Sequence, residues 1–226
     1  MGFGDWAISQ ELFQDISDVL PEGKTILEFG SGSGTHELLK HWSVISVEDN
    51  AKWLNLASRF NMGPHRSTYI HAPLSPTPKQ DKYPDTLWYN HDALSAGLKD
   101  NHFDLVIIDG PCTGTFDYVS ESDIDGWIGR AGILTFIENH PTLFQGKYII
   151  VDDCERPDEL VVAEDIASLV NGELTLAYES DGSFKNKTHS AYFIYSRPPP
   201  MINIFQVVPY LPSSDNLFAI SPSGPS

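Results

Sequence analysis

The 226-residue chain carries 31 Asp and Glu against 14 Lys and Arg, a formal net charge of −17. A surface this acidic repels polyanions, so no nucleic-acid partner is expected, and the charge serves solubility. Two cysteines, Cys112 and Cys154, make no disulfide framework, no apolar run approaches the roughly twenty residues of a membrane span, and the N-terminus lacks a secretory pattern, so a cytoplasmic protein with no membrane partner is expected.

Ile8, Leu12, Ile16, Val19 and Leu20 repeat with a helical period that Pro21 and Gly23 end. A strand is predicted over 25–29, then a glycine turn opening a helix over 34–41, a strand over 44–48, and a helix near 50–60 that residues 61–64 terminate. Tyr69 to Leu74 reads as a third strand, and the Pro-rich stretch 75–86 as an exposed loop. Phe103-Asp-Leu-Val-Ile-Ile-Asp109 and Lys147-Tyr-Ile-Ile-Val-Asp-Asp153 are nearly continuous apolar runs, as in strands buried on both faces. Pro157 is placed to start a helix to about 170. The runs 173–179 and 190–195 complete the sheet as an antiparallel pair. This alternation predicts an α/β Rossmann-like domain over 1–197, with about seven mostly parallel strands, an antiparallel last strand and helices on both faces. Seven of the sixteen prolines lie in 198–226, among apolar residues such as Ile204, Phe205 and Phe218. That composition marks a separate tail, expected to pack on the domain or to join subunits of a homo-oligomer.

The chemistry concentrates in Thr25-Ile-Leu-Glu28-Phe-Gly30-Ser31-Gly32-Ser-Gly34-Thr35 and in the acidic pair Glu48-Asp49 that ends the next strand. A strand, a glycine turn and a carboxylate about twenty residues on describe a nucleoside pocket. Thr35 stands where a dinucleotide fingerprint needs its third glycine, which points away from NAD. Glu28-x-Gly30-x-Gly32-x-Gly34 resembles the first motif of class I S-adenosylmethionine-dependent methyltransferases. The resemblance implies that the donor's amino-acid and ribose parts pass close to Gly30, Ser31, Gly32 and Gly34. It places Glu28 near the methionine ammonium and Glu48, with Asp49 beside it, on the ribose hydroxyls. Pro73 and Leu74 would flank the adenine, and Trp6 or the Trp88-Tyr89 pair would cover the adenosyl group or a sugar face, packing being the competing role of these aromatics.

Asp109, Asp152 and Asp153 end two strands expected to meet at one crevice. Three converging carboxylates call for a cation or for protonation, and oxygen-only donors suit Mg²⁺ or Mn²⁺. The set resembles the metal-dependent O-methyltransferases of the catechol and macrolide-sugar type. That resemblance implies a metal at Asp109, Asp152 and Asp153 and an acceptor hydroxyl on a saccharide, glycosylated metabolite or other small polar molecule. The candidate bases are His189, with His91 and His71 as further choices, or Asp109 itself. Two other readings remain. Asp109-Gly-Pro-Cys112-Thr-Gly114 resembles the cysteine motif of RNA 5-methylcytosine methyltransferases, with Cys154 as second thiol. A catalytically silent adenosylmethionine-binding assembly module is the alternative outside enzymology.

Overall fold

The structure, a computed structural model, describes residues 8–54, 65–77, 82–83, 86–111, 127–179 and 190–197. Helix α1 (Gln10–Val19) is capped by Ser9, whose side chain accepts from the Leu12 amide at 3.0 Å. Strand β1 (Thr25–Phe29), helix α2 (Ser33–Leu38) and strand β2 (Ser43–Glu48) follow, α2 being shorter than the predicted 34–41. Trp42, just beyond it, is buried and ties the end of α1 down through its indole N–H to the Leu20 and Pro21 carbonyls at 3.2 and 3.0 Å.

Strand β3 spans Ser67–His71 and stops earlier than expected, because Leu74–Pro76 forms a separate strand, β4. It pairs antiparallel with β5 (Thr86–Tyr89), so the stretch read as an exposed loop carries a β-pair, clasped by the Thr77 amide on the Thr86 carbonyl at 3.0 Å. Helix α3 (His91–Leu98), strand β6 (Leu105–Ile108), strand β7 (Trp127–Ile128), and helices α4 (Gly132–Asn139) and α5 (Pro141–Phe144) come next. Strand β8 (Tyr148–Val151), helix α6 (Pro157–Leu169) and strands β9 (Glu173–Glu179) and β10 (Ser190–Tyr195) close the chain, these last as the sequence predicts.

The main sheet has the order β3-β2-β1-β6-β8-β10-β9, with β4-β5-β7 as a small second sheet. Every main-sheet neighbour pair is parallel except those made by β10, which runs antiparallel to both β8 and β9. This is a mostly parallel, Rossmann-like α/β fold. Period-two alternation explains its two cores. Ile26, Val44, Leu105, Ile107 and Ile150 face α1 and α2. Leu27, Phe29, Ile45, Val47, Val106, Ile108, Ile149 and Val151 face α3, α4 and α6. Each such side chain, fully buried, contributes about 1.5–3 kcal/mol. On the first face the alternation is broken by two buried polar residues, Glu28 and Ser46, which are register partners next to the strand ends. The order reverses between β1 and β6, and ligands of open parallel sheets bind beyond the strand ends at that reversal. Among the described residues no helix is long and apolar enough to cross a membrane.

Candidate functional site

The loop after β1 begins at Gly30, whose φ of +95° excludes most side chains. A Cβ there would also lie 3.0 Å from the Gly110 amide nitrogen, so the ends of β1 and β6 touch through two glycines. The Gly30 amide donates to the Val47 carbonyl at 2.9 Å, which carries the chain toward the end of β2. There Glu48, only 5% exposed, takes the Ser31 amide and hydroxyl on Oε2, both at 3.0 Å, and the Asn50 amide on Oε1 at 3.0 Å. A carboxylate accepts roughly four hydrogen bonds, so capacity remains on Oε1. The Ser31 hydroxyl also reaches the Trp53 carbonyl at 3.3 Å, and turning to it frees Oε2 for a ligand.

Beneath the loop, Glu28 receives the hydroxyls of Thr35 at 2.7 Å and Ser46 at 2.9 Å on Oε2. Thr35 Oγ1 in turn accepts from the Gly32 amide at 3.0 Å. The residue that breaks the dinucleotide pattern thus ties the loop backbone to the buried acid. Burial raises the Glu28 carboxyl from 4.5 to about 7, with the two hydroxyls pulling it down and Glu48 pushing it up. Because the folded state holds this proton more tightly, the stability involved is present below about pH 4.5 and is lost as the pH rises through about 7. Glu28→Gln, which keeps the shape without the charge, is therefore expected to stabilise the protein by about 3 kcal/mol at about pH 8 and by much less at about pH 5. Urea unfolding at the two pH values checks this.

Across the reversal, the acids read as metal ligands surround a cation of the chain's own. Arg130, between β7 and α4, is buried, its side chain 1% exposed. Its Nη1 donates to the Asp152 carbonyl at 2.7 Å and the Ile108 carbonyl at 3.3 Å. Nη2 donates to the Asp109 carbonyl at 2.8 Å and to Asp153 Oδ2 at 2.6 Å. Asp109 Oδ1 lies 3.7 Å from Nη2 and Glu159 Oε1 3.8 Å from Nε. Burial works against the Arg130 charge, and Asp153, Glu159, Asp109 and Asp152 more than offset it.

The expected Mg²⁺ or Mn²⁺ at Asp109, Asp152 and Asp153 is therefore corrected: these residues do not fit a divalent ion. A guanidinium already holds Asp153, whose Oδ2 also lies 3.2 Å from Arg156 Nη1, and its charge offsets part of the cluster's. Asp153 adopts a φ of +59°, a conformation aspartate tolerates. Among the described residues no group of three or more His, Cys, Asp or Glu side chains is arranged to hold a metal ion. Sequence reasoning missed Arg130, for which the available signal was a lone basic residue beside the apolar run of α4.

Asp109 itself keeps 26% of its side chain exposed, beside Gly110 and Gly30. Burial first, then Asp152 and Asp153, push its carboxyl well above the usual carboxylate range, while Arg130 pulls it down. A carboxyl shifted upward at the mouth of a crevice is a candidate for proton transfer.

Other expected site residues fall as follows. Asp49 is buried, and its carbonyl accepts from His71 Nε2 at 3.1 Å. The Pro73 carbonyl takes the Asn90 amide at 3.0 Å, while Leu74 is a core residue, 3% exposed. His91 packs edge-on against Trp88 and Phe136, and burial pushes its imidazole below its ordinary value, which makes it a packing residue. Trp88 packs on Phe29 and Phe136 in the core, the packing role for this aromatic. Cys154 is buried, and burial pushes its thiol up to about 12, so it makes a poor thiolate and weakens the cytosine-5 reading. Trp6, His189, Cys112, most of the helix near 50–60 and the tail 198–226 lie outside the described residues.

No protein-family model matches the chain, and no curated protein matches it. Solved structures do. The N-methyltransferase NodS from Bradyrhizobium japonicum WM9 is similar at 13% identity and a TM-score of 0.46, covering 83% of this chain and 93% of that one. The E. cuniculi Mtq2-Trm112 complex, responsible for methylation of the eRF1 translation termination factor, is similar at 18% identity and 0.42, covering 85% and 99%. Magnesium protoporphyrin IX methyltransferase from Synechocystis PCC 6803 with bound SAM is similar at 11% identity and 0.45, covering 81% and 75%. What defines the fold class is the strand order with its antiparallel β10.

Proposed function

We propose that the chain is an S-adenosylmethionine-dependent methyltransferase acting, without a divalent metal, on a hydroxyl of a saccharide or other small polar acceptor. The observation that carries this reading is the Gly30–Thr35 loop, fastened on one side to Glu28 through Thr35 and on the other to Glu48 through Ser31. Such a loop fits a ligand that needs close backbone approach, a ribose and a cationic end. Glu48 would bind the ribose hydroxyls, and the ionised form of Glu28 would favour the donor's ammonium.

When bound, the donor supplies an electrophilic methyl group on a sulfonium, which passes to the acceptor oxygen and leaves a neutral thioether. Asp109 takes the hydroxyl proton as the oxygen becomes an ether. Arg130 acts from behind, pulling the Asp109 carboxyl down against burial, Asp152 and Asp153, so that its ionised, proton-accepting form is favoured. The acidic surface supports a small acceptor over a polyanion.

Methyl transfer to a panel of sugars and phenols, followed by mass spectrometry in EDTA, tests the reading. Methylated product in chelator, lost in Asp109→Asn, is the expected result. Activity that appears only on adding Mg²⁺ would contradict the metal-free mechanism, and donor binding without turnover on any acceptor would favour the assembly-module reading.

A further inference from the structure

Tyr89 ends β5 wholly buried, yet its hydroxyl has no hydrogen-bond partner among the described residues. Proteins rarely leave a buried hydroxyl so, because removal from water is then uncompensated. By contrast Tyr83, near the surface, donates a hydrogen bond to Asp165 Oδ2 at 2.9 Å. The Tyr89 ring cannot carry its hydroxyl to solvent, since it packs against Phe29 and Trp88 with centroids 5.8 and 5.4 Å away.

The position of the hydroxyl is what gives it meaning. A Cβ on Gly110 would fall 2.5 Å from Tyr89 Oη, 2.8 Å from Gly30 Cα and 3.0 Å from Gly30 N. Tyr89 Oη, the glycine after Asp109 and the first glycine of the loop therefore meet at the reversal point of the sheet. Glu48, Asp49, Asp109 and Arg130 all act on the phenol electrostatically. Burial, then Glu48 and Asp49, push it well above the ordinary tyrosine range, so it stays protonated and presents both a donor and an acceptor.

We propose that Tyr89 is a ligand-binding residue whose hydroxyl hydrogen-bonds the polar methionyl end of the methyl donor where that end crosses Gly30 and Gly110. This rests on the methyltransferase reading. The methionyl end is preferred over the nucleoside because the place a Gly110 Cβ would take, next to Asp109, lies against both Tyr89 Oη and the Gly30 backbone; Glu48 and Asp49 act on the phenol as well, so adenosine is the arm that tests the ribose side.

Tyr89→Phe removes only the hydroxyl, and calorimetry with adenosylmethionine, adenosylhomocysteine and adenosine reads its role. The variant is expected to melt no lower than the parent, to bind both methionyl ligands about 10-fold more weakly or worse, and to bind adenosine unchanged. Equal affinity for adenosylmethionine in parent and variant would overturn the role of Tyr89 alone. So would a variant that melts well below the parent, or one that loses adenosine to the same extent. If the parent chain bound no adenosylmethionine, the functional reading would fall first and the role of Tyr89 with it.

Discussion

Replacing Arg130 with methionine is expected to destabilise the protein by about 3–5 kcal/mol, because Asp153, Glu159, Asp109 and Asp152 then lose their buried counter-charge. The variant leaves Asp153 without the 2.6 Å bond from Nη2 and removes the guanidinium donors from the Ile108, Asp109 and Asp152 carbonyls. The deficit has a definite pH dependence. Orphaned buried carboxylates have folded pKa values above their unfolded ones, so the deficit is smallest where they are protonated and grows as the pH rises. Denaturant unfolding of parent and variant at about pH 5 and about pH 8 should show the gap widening with pH. A variant as stable as the parent at both values would mean that Arg130 does not neutralise the cluster. Arg130→Lys, which keeps the charge but not the fork, should fall between them.

The second large effect is on binding. Glu48→Gln is expected to weaken adenosylmethionine binding on the order of 100-fold, since two hydrogen bonds to a charged acceptor would be lost at about 1.5 kcal/mol or more each. The same change leaves one of the Ser31 and Asn50 amides without its acceptor, so some loss of stability accompanies it, about 1–3 kcal/mol. Comparing calorimetric affinity with melting temperature separates the two, because loop loosening alone moves both together. Unchanged affinity would remove Glu48 from the ribose site.

Much of this was legible in the sequence, and the reasons are physical. Strands β1, β2, β6 and β8 lie between two helix layers, so they read as continuous apolar runs with acids at their ends. The glycine loop was legible because its backbone geometry demands side-chain-free residues, as the φ of Gly30 bears out. The small sheet was not. Its strands β4 and β7 have three and two residues, too few for a period to register. Helix α4 hid for the opposite reason: Gly132 to Ile137 are all buried, so no polar face marks the helical period.

The acid cluster shows where pattern reading stops. Asp109, Asp152 and Asp153 stood at strand ends as expected, and the demand for a compensating cation was sound. Its source, Arg130, comes from an element remote in sequence and without a motif, so only tertiary structure connects it to the acids. Tyr89 was legible as an aromatic near the loop, but the meaning of its hydroxyl depends on the contact with Gly110, which sequence spacing does not encode.

The central claim is that the clasped glycine loop is an adenosylmethionine site needing no divalent metal. Titration calorimetry of adenosylmethionine into the protein in EDTA tests it directly. Saturable binding of one donor per chain, unchanged by added Mg²⁺ and sharply weakened in Glu48→Gln, is the predicted result. No binding at about 1 mM donor, or binding that appears only when Mg²⁺ is supplied, would contradict it.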